Sequence, residues 1–182
     1  MSTRSKRQPV AAAAAVAVRS GSDTKTDKSA KKDRAVDYRD IEVLNDTSEA
    51  VTLRQLCADG PVVVFLVPKA NTPGCNRQYG SFTERYQEFT KLGVRCFVLS
   101  KDKPEALARW RAKYKSEVRG LSDPQQTLIA ALKARKPPAN TIRSHFVFSA
   151  GDANRVADAI PVSPDRSCEL ALQSVKEHLG KV

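Results

Sequence analysis

The sequence predicts an α/β fold in which one central mixed sheet is flanked by helices. Three observations predict it. Val62-Val63-Val64-Phe65-Leu66-Val67 and Val94-Arg95-Cys96-Phe97-Val98-Leu99 are apolar stretches separated by a segment of helical periodicity. Continuous apolar runs mark strands buried on both faces, and a strand–helix–strand unit with a short return makes the two strands parallel. Near the end, Ile142–Ser149 and Arg155–Ile160 flank Gly151-Asp152, which reads as an antiparallel hairpin.

The elements follow in order. Structure is expected to begin near Tyr38–Leu44, where Ile41 and Val43 alternate with polar neighbours. Thr52–Cys57 reads as a helical turn ahead of the first core strand. The next helix has a well-marked start: Thr72 suits the N-cap, and Pro73 suits the first helical position, where its missing N–H costs nothing. Tyr79, Phe82, Tyr86 and Phe89 recur at helical spacing, and Gly93 closes the helix. A second helix carries Leu107, Trp110 and Tyr114 on one stripe. Leu121-Ser122-Asp123-Pro124 reads as a turn before a third helix bearing Leu128, Ile129 and Leu132. Lys136-Pro137-Pro138 breaks the chain before the hairpin. A final helix, Cys168–Leu179, carries Leu172, Val175 and Leu179 and stops at Gly180.

The chain has 182 residues, enough for one ordinary domain with a tail. Its 31 lysines and arginines against 20 acidic residues give a formal net charge of +11. Residues 1–35 hold nine of those cations against three aspartates, a surplus of six, so the basic balance describes a tail more than a globular surface. That tail has no aromatic residue and no usable periodicity, and is expected to be disordered; residues 36–182 are the expected folded domain. Its basic character suits nuclear import or weak nucleic-acid contact. A mitochondrial presequence is the alternative, because residues 1–22 contain Arg and Ser and no acid. Val10–Val18 is apolar but too short to span a membrane, and no membrane association is expected. Cys57, Cys75, Cys96 and Cys168 are widely spaced with no C-x-x-C pair, which fits reduced thiols and no zinc site.

The chemistry concentrates in Pro68-Lys69-Ala70-Asn71-Thr72-Pro73-Gly74-Cys75. Cys75 falls in the first turn of a helix, where the positive end of the dipole favours a thiolate. Thr72, one turn earlier, can donate to that thiolate or accept from a bound hydroxyl group, a role that competes with capping. Pro68 can shield the sulfur from water without adding a competing N–H, and backbone N–H groups at the helix start offer donors to an anion.

Pro-x-x-x-Thr-x-x-Cys, here continuing as Asn71-Thr72-Pro73-Gly74-Cys75-Asn76-Arg77-Gln78, resembles the peroxiredoxins, and within them the bacterioferritin-comigratory-protein or PrxQ group. Leu99-Ser100-Lys101-Asp102, Leu121-Ser122-Asp123-Pro124 and Ile142-Arg143-Ser144-His145-Phe146-Val147-Phe148 recur in the family's order, over roughly residues 38–180. The last of these, with Val162-Ser163-Pro164, is most similar to the fungal nuclear thiol peroxidases. The resemblance implies a thioredoxin-like fold of peroxiredoxin type. It also implies reduction of hydrogen peroxide and alkyl hydroperoxides without metal or cofactor, in antioxidant defence and redox homeostasis. Cys75 would be the peroxidatic cysteine, with Thr72 and Pro68 lining its pocket and Arg143 favouring the thiolate and polarising the peroxide. Thioredoxin or another thiol would be the reductant, a nuclear location is implied, and a monomer is expected.

One departure from the family pattern matters. Close relatives often carry a resolving cysteine five residues after the first; here that position is Gly80. A one-cysteine cycle with an external thiol and resolution by Cys168 are both open. The missing partner also keeps alive a redox-sensing nuclear or chromatin-associated binding role with little turnover. His145 and His178 are the only histidines, and a Cys–His hydrolase would need one of them beside Cys75.

Overall fold

The computed structural model describes residues 37–180. The tail expectation for residues 1–35 therefore lies outside the described residues. A single 3₁₀ turn, Tyr38–Asp40, precedes β1 (Val43–Asn45) and β2 (Ala50–Val51), which form a short hairpin. Helix α1 (Leu53–Cys57) opens on a full capping box: Thr52 Oγ1 accepts from Gln55 N–H, and Gln55 Oε1 accepts from Thr52 N–H.

Strand β3 (Val62–Leu66) is buried along its whole length. Val63 and Phe65 pack into one core with Cys75, Tyr79 and Phe82; Val62, Val64 and Leu66 pack into a second core with Leu128 and Ile129. This two-sided burial is why the strand reads as an unbroken apolar run. The segment expected as one helix from residue 73 to Gly93 is two, α2 (Pro73–Glu84) and α3 (Tyr86–Lys91), broken at Arg85, whose φ of −96° and ψ of 10° leave the helical region. Gly93, at φ 68°, closes α3: Val94 N–H reaches Phe89 O and Gly93 N–H reaches Thr90 O. These two bonds make a Schellman motif.

Strand β4 (Arg95–Ser100) runs parallel to β3, and helix α4 (Pro104–Tyr114) follows. Leu121 and Ser122, expected in a turn, instead end strand β5 (Arg119–Ser122), which lies parallel to β4 and antiparallel to β1. After α5 (Thr127–Ala131), β6 (Arg135–Lys136) and β7 (Asn140–Thr141) form a separate two-stranded sheet around the proline break. Strands β8 (Ser144–Phe148) and β9 (Arg155–Ala159) form the expected hairpin, and α6 (Ser167–Leu179) ends the fold. The central sheet runs β2-β1-β5-β4-β3-β8-β9. It is mixed, as the sequence predicts, with helices on both faces. No described helix is long and apolar enough to cross a membrane.

Candidate active site

The fold brings two distant segments together at one end of β3. In the antiparallel β3–β8 pair Leu66 lies opposite Ser144, so the residues leaving β3 run alongside those entering β8. Pro68 and Arg143 are therefore neighbours of the same corner although they lie far apart in sequence. The connecting loop is pinned by polar contacts. Ala70 N–H donates to Asp102 Oδ2 at 2.6 Å, and Lys113 Nζ donates to Asn71 Oδ1 at 2.9 Å. Asn71 takes φ 57°, a left-handed conformation that asparagine tolerates better than most residues.

Thr72 is the N-cap of α2 by backbone geometry, yet its hydroxyl caps nothing. Oγ1 donates to Lys69 O at 3.1 Å instead. The competition seen in the sequence is thus decided against capping. Gly74 and Cys75 N–H, in the first turn, have no acceptor among the described residues.

Cys75 is 1% exposed and belongs to the core on the α2 face of the sheet. Arg143 Nη2 donates to its Sγ at 3.3 Å, and Nη1 of the same guanidinium donates to Gln78 Oε1 at 2.6 Å. Gly74 makes room for this fork: a Cβ there would lie 3.3 Å from Arg143 Nη2. The main chain of Arg143 is held as well, its carbonyl accepting from Val162 N–H at 3.0 Å. Gln78 is fully buried and its Nε2 donates to Ser167 Oγ at 2.9 Å; that hydroxyl lies 3.3 Å from His145 Nδ1. On the other flank, Trp110 Nε1 donates to Asn76 Oδ1 at 2.8 Å and anchors the helix that carries Cys75.

The structure thus brings Cys75 and Arg143 into contact, with Thr72 and half-buried Pro68 on the same loop. His145 faces Ser167 rather than Cys75, and His178 bonds Ser174 O on α6, so the Cys–His arrangement is not formed. Burial lowers His145 to about 4, which keeps its ring neutral at physiological pH. Cys168 is buried in α6, where Sγ donates to Ser81 O at 3.4 Å and burial pushes the thiol up to about 12. Ser81 lies six residues beyond Cys75 on α2, roughly 9 Å along the helix axis, so a Cys75–Cys168 disulfide requires movement of α2. Cys57, pushed up to about 11, and Cys96, raised well above the ordinary thiol value, are buried thiols shifted by desolvation. Gly80 faces an open groove beside Arg77, Glu84 and Tyr114. Among the described residues no cluster of three or more His, Cys, Asp or Glu could hold a metal ion.

Sequence reasoning missed Gln78, Gly74 and Ser167. Gln78 had a signal: it is a polar residue on the buried stripe that also carries Cys75, Tyr79 and Phe82. Ser167 had none, because only the packing of α6 on α2 brings it to the site.

The AhpC/TSA family model matches residues 34–153. Over 139 residues the chain is 30% identical to peroxiredoxin bcp1 of Schizosaccharomyces pombe, covering 76% of this chain and 71% of that protein. It is 36% identical to a putative peroxiredoxin of Mycobacterium tuberculosis over 93 residues, 47% of this chain and 59% of the relative. Among solved structures, peroxidoxin BcpB of Mycobacterium tuberculosis superposes with a TM-score of 0.71 at 25% identity, covering 75% of this chain and 92% of that one. Peroxiredoxin Q of Xanthomonas campestris gives a TM-score of 0.72 at 23% identity, covering 78% and 93%, a likeness of fold.

Proposed function

From the premise that the chain belongs to the AhpC/TSA family, as a thiol peroxidase of the bacterioferritin-comigratory-protein/PrxQ group, we propose that Cys75 is its peroxidatic cysteine. The single observation that carries this reading is the fork of Arg143, which touches Cys75 Sγ and Gln78 Oε1 at once. A positive charge at 3.3 Å stabilises negative charge on the sulfur, and the planar guanidinium directs a donor at the place where a peroxide oxygen would sit.

Thr72 supplies the complementary half. Its hydroxyl proton is committed to Lys69 O, so its oxygen presents lone pairs to the O–H of a hydroperoxide. The free Gly74 and Cys75 N–H groups add donors for developing charge. The thiolate attacks the terminal oxygen, the S–O bond forms as the O–O bond breaks, and the leaving alkoxide or hydroxide takes a proton to depart as alcohol or water. Cys75 is then a sulfenic acid. An external thiol displaces water from it to give a mixed disulfide, and a second thiol releases Cys75.

The substrates are hydrogen peroxide and alkyl hydroperoxides, and thioredoxin is the reductant. The absence of a cysteine at position 80 and the placement of Cys168 on Ser81 support an external resolving thiol. At 1% exposure the Cys75 sulfur must emerge to meet a protein thiol, so resolution includes opening of the first turn of α2. The enzyme is proposed to act as a monomer. The basic surplus of residues 1–35 supports nuclear residence and weak nucleic-acid contact. The test of the reading is Cys75→Ser, which should abolish peroxide consumption; substantial turnover by that variant refutes it.

A further inference from the structure

Gln78 is the only side chain among the described residues that holds Arg143 apart from Cys75 itself, and its amide has two chemically opposite ends. Oε1 accepts from the guanidinium; turned over, the amide would set N–H against N–H. The orientation is fixed at the other end, where Nε2 needs an acceptor and finds Ser167 Oγ at 2.9 Å. Ser167 can present lone pairs to Gln78 only if its own proton points elsewhere, and the group 3.3 Å away is His145 Nδ1. His145 is 1% exposed, and its burial keeps the ring neutral, with Nδ1 free to accept when the ring proton sits on Nε2. With the ring proton on Nε2 the whole chain has one polarity: Arg143 donates to Gln78, Gln78 to Ser167 and Ser167 to His145.

We propose that Ser167 and His145 are positioning residues for the peroxidase reaction, holding the Arg143 fork on Cys75 through Gln78. The inference rests on the assignment of Cys75 and Arg143 above. It ties the first turn of α6 to the reacting sulfur on α2. Two neighbouring contacts strap the same segment to the site: Arg77 Nε meets Asp165 Oδ1 at 2.9 Å, and Val162 N–H bonds the Arg143 carbonyl. A chain that merely satisfied buried polar groups would contribute to stability alone. A chain that aims the guanidinium changes the rate of sulfur oxidation through Arg143 and through nothing else.

The test is a double-mutant cycle on the full chain, read as the single-turnover rate of Cys75 oxidation by hydrogen peroxide, with the thermal midpoint measured in parallel. Ser167→Ala should slow oxidation about tenfold, the rate equivalent of one hydrogen bond. Ser167→Thr, which keeps the hydroxyl, should stay near the unmodified rate. His145→Asn retains an acceptor close to the Nδ1 position and should be slowed less than His145→Leu. In an Arg143→Ala background, Ser167→Ala should add nothing. An unchanged rate for Ser167→Ala, or the same slowing with and without Arg143, overturns the inference. A slow Arg143→Ala beside an unimpaired Ser167→Ala removes this inference and leaves the site assignment standing. An Arg143→Ala protein that oxidises at the unmodified rate removes the site assignment and this inference with it.

Discussion

Replacement of Arg143 by alanine probes the proposed chemistry at its strongest contact. The guanidinium lies 3.3 Å from Cys75 Sγ. At an effective dielectric near 20, two unit charges at that separation attract by about 5 kcal/mol, which sets a ceiling. Arg143 is partly exposed, so solvent screens part of that attraction, and a hydrogen bond to a charged group is worth about 1.5–3 kcal/mol net. If that interaction is made more strongly in the transition state than before it, its loss slows oxidation by about ten- to a hundredfold. Arg143→Lys should recover only part of the rate, because a point-like ammonium cannot span Gln78 and Cys75 together. The assay is the second-order rate of Cys75 oxidation, measured in competition with a fast peroxide-consuming reporter. The thermal midpoint should also fall modestly, because buried Gln78 Oε1 loses its donor, so the rates are compared well below the variant's midpoint. An Arg143→Ala enzyme at the unmodified rate refutes the reasoning.

Three further outcomes are expected. Gly80→Cys should convert the oxidised product from a sulfenic acid to a disulfide between Cys75 and the introduced thiol, seen by peptide mass spectrometry; the added Cβ would meet nothing closer than Tyr114 Cε1 at 3.8 Å, so the fold should accept it. Gly74→Ala should slow oxidation while raising stability by up to about 1 kcal/mol, because alanine suits a helix better but pushes on Arg143 Nη2; an unchanged rate would show that the fork tolerates displacement. His145 is held near 4 in the fold against 6.5 for the free side chain. Between those values the unfolded chain binds the extra proton, so stability should fall as pH drops from 6.5 to 4, by at most about 3 kcal/mol. Denaturant melts of the natural chain and His145→Asn across that window should diverge on the acid side, and parallel curves would contradict the assignment.

What the sequence made legible follows from where each signal resides. β3 and β4 announce themselves because both faces are buried, and α6 because its apolar residues hold a helical period. β5 was hidden: its four residues include Arg119 and Gly120, and only Leu121 is apolar. Gly120 is there because a Cβ would strike Leu107 Cβ at 2.7 Å, so close packing erased the usual strand signature. The Cys75 loop was readable because its chemistry is local. Arg143 was reached through a motif, while the physical reason it meets Cys75, the β3–β8 register, is a property of topology. Ser167 belongs wholly to that second kind of information.

The most direct test of Cys75 as the reacting sulfur is peptide mass spectrometry after one equivalent of hydrogen peroxide, with a sulfenic-acid trap present from the start. The trap should label the peptide holding Cys75 and leave those holding Cys57, Cys96 and Cys168 unmodified. Label at one of the buried thiols with Cys75 untouched would contradict that assignment.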